Sequence, residues 1–447
     1  MPSAIEQGWL RPLTENPALR LATVFVFYIF QGVPMGMFYF GVPAFMAGEG
    51  ASPLEIAGVV SAFSLPWTLK LVNGFFMDRY TFLPMGRRRA WLIGAQSVMV
   101  VGLLVGAALA PGARDVALLS ALAFAISAAT TFQDVSIDSL VVDIMDEADQ
   151  AKAGGIMFGA QIFGMSGATA ASGFLLQHYG SGAAFAAAAL FLSAGVAFAV
   201  LLRERPGERR LPWTAGQAHP RNLEIKIGAW LPLLKQSLKA IFSPASLLIL
   251  PFLLVRSVPS GANDVFNPLL SAKYAGWTAS QFTGVASVAQ LGAGLIGLTL
   301  GGVLTARLGS RRMLTILFAV LAAQYAFAAF VRASWGEGWI VYEVLWATET
   351  IGILVAVAMI PLAMQVCNPA VAATQFTIYM AVANFGRPIG AWIAALTLEG
   401  DPRRLYYTIA AIMAAAAVGS VFIGKRRVSP ELERQLAHGA GAAPVEN

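Results

Sequence analysis

Eight ionisable residues fall inside stretches that are otherwise apolar: Lys70, Asp134, Asp138, Arg256, Asp264, Glu343, Glu349 and Arg387. A charge at bilayer depth costs a few kcal/mol or more, so each of these residues needs a partner, water or a task. Three are bases and five are acids. The surplus acids must face water or carry protons. A carboxyl desolvated in a cavity holds its proton more tightly than one in water, and a proton-coupled device depends on that property.

Asp134 and Asp138 stand four residues apart, so a helix places them on one face. Close carboxylates oppose one another's ionisation unless a cation intervenes. Lys70 is the natural cation. The expected arrangement is a Lys70, Asp134 and Asp138 cluster that exchanges partners as a proton or ligand arrives, and the alternative is a static ion pair that fixes packing. Arg256, Ser260, Asn263 and Asn267 fall on a single helical stripe, with Asp264 at its edge. Donors and a cation in such a stripe belong against a polar cavity or, alternatively, serve as interhelical hydrogen bonds. Arg387, between Gly386 and Pro388, could grip a ligand carboxylate or pair with Glu349. Gln161, Gln290, Gln375, Tyr379 and Asn384 add neutral donors and acceptors suited to a polyhydroxylated or amide-rich ligand, or to packing.

These residues need helices to hold them. Hydrophobic residues make up 57% of the 447-residue chain, charged residues 12%, and mean hydropathy is +0.67. Soluble domains carry about 25% charged residues. Twelve apolar runs approach the roughly 20 residues that cross a bilayer: 20–46, 54–77, 90–110, 115–142, 152–177, 183–202, 243–271, 278–305, 312–332, 338–365, 372–396 and 404–423. Their continuity excludes a transmembrane barrel, whose strands alternate. Cys367 stands alone, so no intrachain disulfide forms.

The net charge of +6 resides in short loops, which assigns it to topology and not to nucleic acid. Arg79, Arg87, Arg88 and Arg89 follow the second run, Arg307, Arg311 and Arg312 the eighth, and Lys425, Arg426 and Arg427 the twelfth. The gap at 203–242 holds eight Lys/Arg, Lys226 among them, and suggests an interfacial helix near 223–241. Basic even-numbered loops place both termini in the cytosol, with Arg403 and Arg404 an exception.

The chain also repeats. Val33-Pro34-Met35-Gly36 with Pro43 returns as Val258-Pro259-Ser260-Gly261 with Pro268, 225 residues later. Gly58-Val59-Val60-Ser61 returns as Gly284-Val285-Ala286-Ser287 at an offset of 226. The expected fold is all-α and polytopic, with two pseudo-symmetric six-helix halves at 1–202 and 243–424, a basic linker at 203–242 and a tail at 425–447. Matching proline and glycine sites predict broken helices in runs 1 and 7, the usual mark of a binding site between repeats. Under the 225 offset Gln31 matches Arg256, a central pair from opposite halves.

Gly74, Asp78-Arg79 and then Gly86-Arg87-Arg88-Arg89 resemble the loop signature of major facilitator transporters, and Gly302, Ala306-Arg307, Gly309 and Arg311-Arg312 form a degenerate copy. The five extra residues before Gly86, with Lys70 and Trp91 on either side, look like the AmpG-type muropeptide permeases of the peptide/acetyl-coenzyme A/drug branch. Gln133-Asp134 with Asp138 resembles that branch's Gln-Asp-x-x-x-Asp, and Thr374-Gln375-Phe376 with Gly386-Arg387 resembles its eleventh span. Ser139 and Leu140 depart from the pattern. The resemblance implies alternating access by rocking halves, a bacterial inner membrane, and proton-driven import of an anhydro-muropeptide by a monomer. A siderophore or other small carboxylate remains open within the branch, and a membrane sensor outside it. Asp78, Arg79, Arg87, Arg88 and Arg307 would then latch one state by pairing arginines with an aspartate and helix C-termini.

No phosphate-binding loop, metal-ligand cluster or nucleophile beside a base occurs in the sequence, so neither an ATP-driven pump, a metal site nor an enzyme is expected, and no cofactor is implied.

Overall fold

The protein is described by a computed structural model over residues 11–224, 230–367 and 372–422. Lys226 and the tail at 425–447 lie outside the described residues. Among those residues there is no strand. The helical spans are α1 (Pro17–Gly48), α2 (Pro53–Arg79), α3 (Arg89–Leu109), α4 (Val116–Ile144), α5 (147–179), α6 (181–201), α7 (Pro244–Tyr274), α8 (Ala279–Leu308), α9 (Ser310–Phe330), α10 (Gly338–Gln365), α11 (Ala372–Thr397) and α12 (Arg403–Ser420). Most ends fall within three residues of the sequence reading. The exception is the start of α5, five residues early, where Asp146 caps the helix by accepting from the Asp149 amide. No loop separates α5 from α6, because Gly180 alone turns the chain at φ +80°, where a side chain would be strained.

The repeat is deeper than the motifs that revealed it. Ser52 caps α2 by accepting from the Glu55 amide at 3.3 Å while Glu55 accepts from the Ser52 amide at 2.6 Å. Thr278 and Gln281 cap α8 in the same reciprocal way at 3.2 and 2.9 Å. These caps are 226 residues apart, and each is worth about 1 kcal/mol. Gly36 and Gly261, 225 residues apart, perform matching tasks. A Cβ on Gly36 would overlap the Met165 carbonyl of α5, and one on Gly261 would overlap the Arg387 carbonyl of α11. Gly32 and Gly164 extend the first crossing, Gly386 and Gly390 the second. Small residues let backbones touch where lipid offers no hydrophobic drive.

Gly261→Ala should therefore lower the unfolding temperature in detergent, with an overpacking cost of about 1–3 kcal/mol. Gly284→Ala, on α8 with no atom within 4 Å of the added methyl, should be neutral or slightly stabilising. Equal effects of the two would refute close packing at Gly261.

The expected helix breaks are asymmetric. Span α7 breaks at Arg256–Ser257, just before Pro259, and widens into a π-helical turn at Leu270–Tyr274. Span α1 does not break. It continues through Pro34 and widens into a π-helical turn at Met37–Gly41, which delivers Pro43 to the first turn of the next segment. A proline lacking its N–H is tolerated where the ladder is already offset.

Spans α1 to α6 meet spans α7 to α12 where α2 packs on α11 and, in a second contact, along α5 and α8. The contact runs from Gln177, whose Oε1 accepts from the Ser280 amide at 2.7 Å, through Thr169 and Gln290 at 3.3 Å and Ser166 donating to the Ser287 carbonyl at 2.5 Å, to Gly159 against Leu298. Beyond it, towards the end where α1 begins and α12 finishes, a Cβ on Gly154, Gly155 or Gly302 would meet nothing within 4 Å. The hydrogen bonds between α5 and α8 thus lie towards the far end, and a cavity between the two sets of spans is lined by Gly154 towards the terminal end.

Candidate transport site

A cavity of about 400 Å³ lies between the two sets of spans. Its first wall carries Tyr28, Tyr39, Trp67, Lys70, Asp134, Asp138 and Gln161, and its second Ser257, Ser260, Asn384 and Arg387. Gly154, Met157 and Phe158, from the terminal end of α5, also line it.

On the first wall, Lys70 Nζ donates to Asp134 Oδ2 at 2.6 Å and Gln31 Nε2 to Asp134 Oδ1 at 2.7 Å. Asp134 is thus satisfied on both oxygens. Asp138, one turn along α4, accepts a short hydrogen bond from the Tyr28 hydroxyl. No Lys or Arg lies within ion-pair distance of Asp138 among the described residues. The i, i+4 spacing thus yields two differently held carboxyls: one locked to a cation, the other held only by a phenol. Below them Gln133 Nε2 donates to the Phe27 carbonyl at 2.6 Å and its Oε1 accepts from Gln96 at 3.1 Å, a buried brace for α4.

On the second wall, Arg387 donates from Nε and Nη2 to the two oxygens of Asp264 at 2.6 and 2.9 Å. Its partner is therefore Asp264, where the sequence offered a ligand or Glu349. The guanidinium carbon of Arg387 also sits 3.4 Å from the centre of the Tyr39 ring, across the cavity on α1. Asn384 Nδ2 donates to the Trp67 carbonyl at 3.1 Å, a second bridge from α11 to the other wall.

The stripe predicted on α7 is divided. Ser260 reaches the cavity, but Asn263 turns away to donate to the Tyr325 hydroxyl at 2.8 Å, and Asn267 is buried. The helix break at Arg256–Ser257 takes Arg256 out of register with the segment beyond it, whereas Asn263 lies on the same segment as Ser260, about 60° round it. Arg256 does not line the cavity, and its Nε is buried without a hydrogen-bond partner. Gln31 belongs to the Asp134 cluster and does not face Arg256. Gln375 is buried near the start of α11, donating to Tyr379 at 2.7 Å and Ser246 at 3.1 Å, away from the cavity. Tyr28, Tyr39, Ser64 and Trp67 are cavity residues that the sequence reading passed over. Aromatic residues are frequent in apolar spans, and only tertiary placement sets these four apart.

The loop network also differs from the expected latch. Arg88 bonds Asp78 at 2.8 Å and Asp143 at 2.9 Å, and Arg87 approaches the same acids at 3.8 and 3.9 Å. All four belong to α2, α4 and the loop before α3, so the network ties one set of spans to itself. Arg79 and Arg307 are exposed and outside it. The acids missed by the sequence reading are Asp143, Glu204 and Glu208. Glu204 accepts from the Arg87, Arg88 and Arg89 amides at 2.9, 2.7 and 2.6 Å, filling the space that the left-handed Gly86 leaves open. Three helix-start amides on one carboxylate form a strong anion cradle.

Glu208 accepts from the Glu204 and Arg205 amides and from Asn222. Burial, with the negative charge of Glu204 beside it, pushes the Glu208 carboxyl up to about 7. Between the ordinary carboxyl range and that value the folded loop binds more protons than the unfolded chain. Its stability therefore falls as pH rises through that window. Hydrogen exchange at the amides of 204–210, corrected for intrinsic rates, should show protection declining from about pH 5 to about pH 7 and levelling off above that. Flat protection would remove Glu208 as the titrating group.

Helices on both sides of a central cavity, charge clusters on opposing walls and a sequence repeat of about half the chain define a membrane transporter of the alternating-access type. The family model of the Major Facilitator Superfamily matches residues 24–391, and the chain belongs to that superfamily. Over 410 residues it is 24% identical to the anhydromuropeptide permease of Escherichia coli (strain K12), covering 90% of this chain and 79% of the permease. It is 30% identical over 197 residues to the folate-biopterin transporter of Synechocystis sp., covering 42% of this chain and 38% of that protein. Among solved structures, the nucleoside transporter NupG superposes with a TM-score of 0.64 at 14% identity, covering 91% of this chain and all of that one. An auto-inhibited peptide transporter of the POT family gives 0.63 at 14% identity, with 92% and 97% covered. At these identities the likeness to the solved structures is one of fold. The AmpG-like character read from the loop and α4 motifs agrees with the permease relative.

Proposed function

We propose that the protein is a proton-driven importer of anhydro-muropeptides in a bacterial inner membrane. Both termini lie in the cytosol, and the two six-helix halves rock about the central site. One observation carries the reading: the Lys70–Asp134 and Tyr28–Asp138 groups face Arg387 across one cavity, so a proton-carrying wall and an anion-holding wall come from opposite halves. The permease relative and the matching motifs supply the substrate class.

Asp138 is the proposed proton carrier, since it is the carboxyl with no cation at ion-pair distance. Its proton keeps Lys70 on Asp134. Loss of the proton places a second negative charge one turn away and draws Lys70 between the two. Arg387 and Lys70 are the cations available to an acidic ligand, and Trp67, Tyr39 and Phe158 offer faces for sugar rings. With the termini cytosolic, the end of the cavity lined by Gly154 is the cytosolic one, which supports reading this as an inward-facing state. Those aromatic faces, together with the folate-biopterin relative, support a second reading in which the ligand is an aromatic carboxylate.

Uptake of a labelled anhydro-muropeptide into proteoliposomes, with and without an inward proton gradient, tests the proposal. Gradient-dependent accumulation supports both substrate and coupling. Folded protein that ignores the muropeptide and accumulates a pteridine carboxylate or a siderophore would replace the substrate and keep the mechanism. Accumulation insensitive to the gradient would remove proton coupling.

A further inference from the structure

The linker carries a feature that transport does not use. Residues 203–224 are fastened to the end of the helical bundle by named bonds. The Arg203 and Glu204 carbonyls accept from the Leu13 and Thr14 amides at 2.9 and 3.1 Å. Arg89, the first residue of α3, donates to the carbonyls of Arg210 at 2.9 Å and Arg209. The loop therefore sits directly beneath α3 and the end of α6. Those spans turn large apolar side chains outward, including Val98, Val101 and Leu104 on α3 and Leu190 on α6, which marks them as the lipid-facing rim. The loop follows the end of α6 at Leu201 and bonds the first residue of α3, so it lies at the shared end of these lipid-facing spans, where headgroups begin.

At its tip Trp213 is 79% exposed. The turn that holds it is ordered. Arg209 donates to the Pro212 and Gly216 carbonyls at 2.8 Å each, and Thr214 Oγ1 accepts from the Arg210 and Leu211 amides at 3.1 and 3.0 Å. An indole fixed in an outward position is unfavourable in water and favourable at a membrane interface. The charge around it is positive. Arg203, Arg209 and Arg210 are half-buried and Arg221 is exposed, whereas Glu204 and Glu208 are buried and occupied with backbone amides. Arg210 is half-buried, with Nε and Nη2 enclosed by the protein, and its Nη1 is the guanidinium nitrogen left for a headgroup to reach.

We propose that the Trp213 turn is a docking surface for acidic phospholipids, with Trp213 inserted at the interface and the headgroup phosphate accepting from Arg210. Basic residues next to a bilayer are drawn to anionic lipid, and a phosphate bound by guanidinium gains charge-assisted hydrogen bonds. The position on the lipid-facing rim and the exposed indole favour a lipid surface over a soluble acidic partner.

The test uses the full-length protein, purified and delipidated in detergent. Phosphatidylglycerol should raise its unfolding temperature more than phosphatidylcholine does, and water-soluble glycerophosphoglycerol should leave it unchanged. Arg210→Gln and Trp213→Ala should each lose most of the phosphatidylglycerol-specific increment. Lys273→Gln, at the opposite end of the bundle, should keep it. In nanodiscs, the fluorescence lost in Trp213→Phe should be quenched more by a nitroxide near the headgroup than by one at the chain end. That readout needs no destabilising change. Full retention of the increment in both variants, an equal response to the soluble headgroup, or no headgroup-depth quenching would overturn the proposal.

Discussion

Asp138→Asn is expected to abolish gradient-driven accumulation while leaving the exchange of labelled for unlabelled substrate in place. The asparagine keeps the size of the side chain and still bonds the Tyr28 hydroxyl, so the cavity wall between α1 and α4 should survive. What disappears is a group that can be charged in one state and neutral in another. A carrier in this position with no titratable carboxyl moves its substrate down its own gradient only. The loss of steady-state accumulation should be at least tenfold, about 1.4 kcal/mol of coupling free energy. Asp134→Asn should behave differently. It leaves Lys70 without its 2.6 Å partner, and truncating one side of a buried pair costs about 3–5 kcal/mol, so reduced expression or thermal stability should accompany its loss of uptake. An Asp138→Asn protein that accumulated substrate like the wild type would remove Asp138 from the coupling scheme. One that lost exchange as well would make Asp138 a binding residue.

This contrast between neighbouring aspartates shows where sequence reasoning stops. The i, i+4 spacing of Asp134 and Asp138 and the presence of Lys70 put three groups in one place, and the structure brings them together. Which carboxyl takes the lysine was not legible, because it depends on the crossing of α1 over α4. Gln31 and Tyr28 on α1 sort the two acids, one to an amide and one to a phenol. The same holds on the opposite wall. Asp264 and Arg387 are both visible as intramembrane charges, but their pairing depends on the α7–α11 contact at Gly261 and Gly390, a backbone approach that sequence periodicity does not encode.

The span pattern was legible because hydrocarbon thickness fixes span length and every buried charge stands out against it. The paired helix caps and the paired glycine crossings fall at the same 225- and 226-residue offsets as the sequence repeat, although no cap or crossing was read from the sequence. The places where the halves diverge were not legible. The prolines of α1 and α7 match in position, but one helix absorbs them in a π-helical turn and the other breaks at Arg256–Ser257. The break takes Arg256 out of register with the residues beyond it, and Asn263, about 60° round the same segment from Ser260, turns to Tyr325, so of the expected polar stripe only Ser260 lines the cavity. The loop network was legible only in part, as the pairing of Arg88 with Asp78. Counting arginines finds Arg87 and Arg88, but their other acids, Asp143 of α4 and Glu204 of the linker, are distant in sequence.

The second large effect is expected at Arg387. Its guanidinium satisfies three demands at once: both oxygens of Asp264, the face of Tyr39 on the opposite wall, and a place on the cavity surface. Arg387→Lys keeps the charge but cannot fork onto Asp264 or lie flat on the ring. It should fold, and uptake of an acidic substrate should fall by one to two orders of magnitude, about 1.4–3 kcal/mol. Arg387→Ala and Asp264→Ala should each lower stability by about 3–5 kcal/mol, because each leaves an uncompensated buried charge. The double variant should be more stable than either single one and should still fail to transport. That pattern separates the two roles of the arginine, since the fold needs the pair to be neutral while transport needs the cation itself. Tyr39 extends the argument to the conformational cycle. Opening the far end must part α1 from α11, so the contact between the Tyr39 ring and Arg387 exists in one state and is lost in the other. Tyr39→Leu should therefore shift the population towards the state open at the far end, read as increased labelling of a cysteine placed at Thr283 on an otherwise cysteine-free protein. An unchanged labelling rate, or a double variant no more stable than its parents, would remove Arg387 from the centre of the mechanism and leave Lys70 as the cation that meets the substrate.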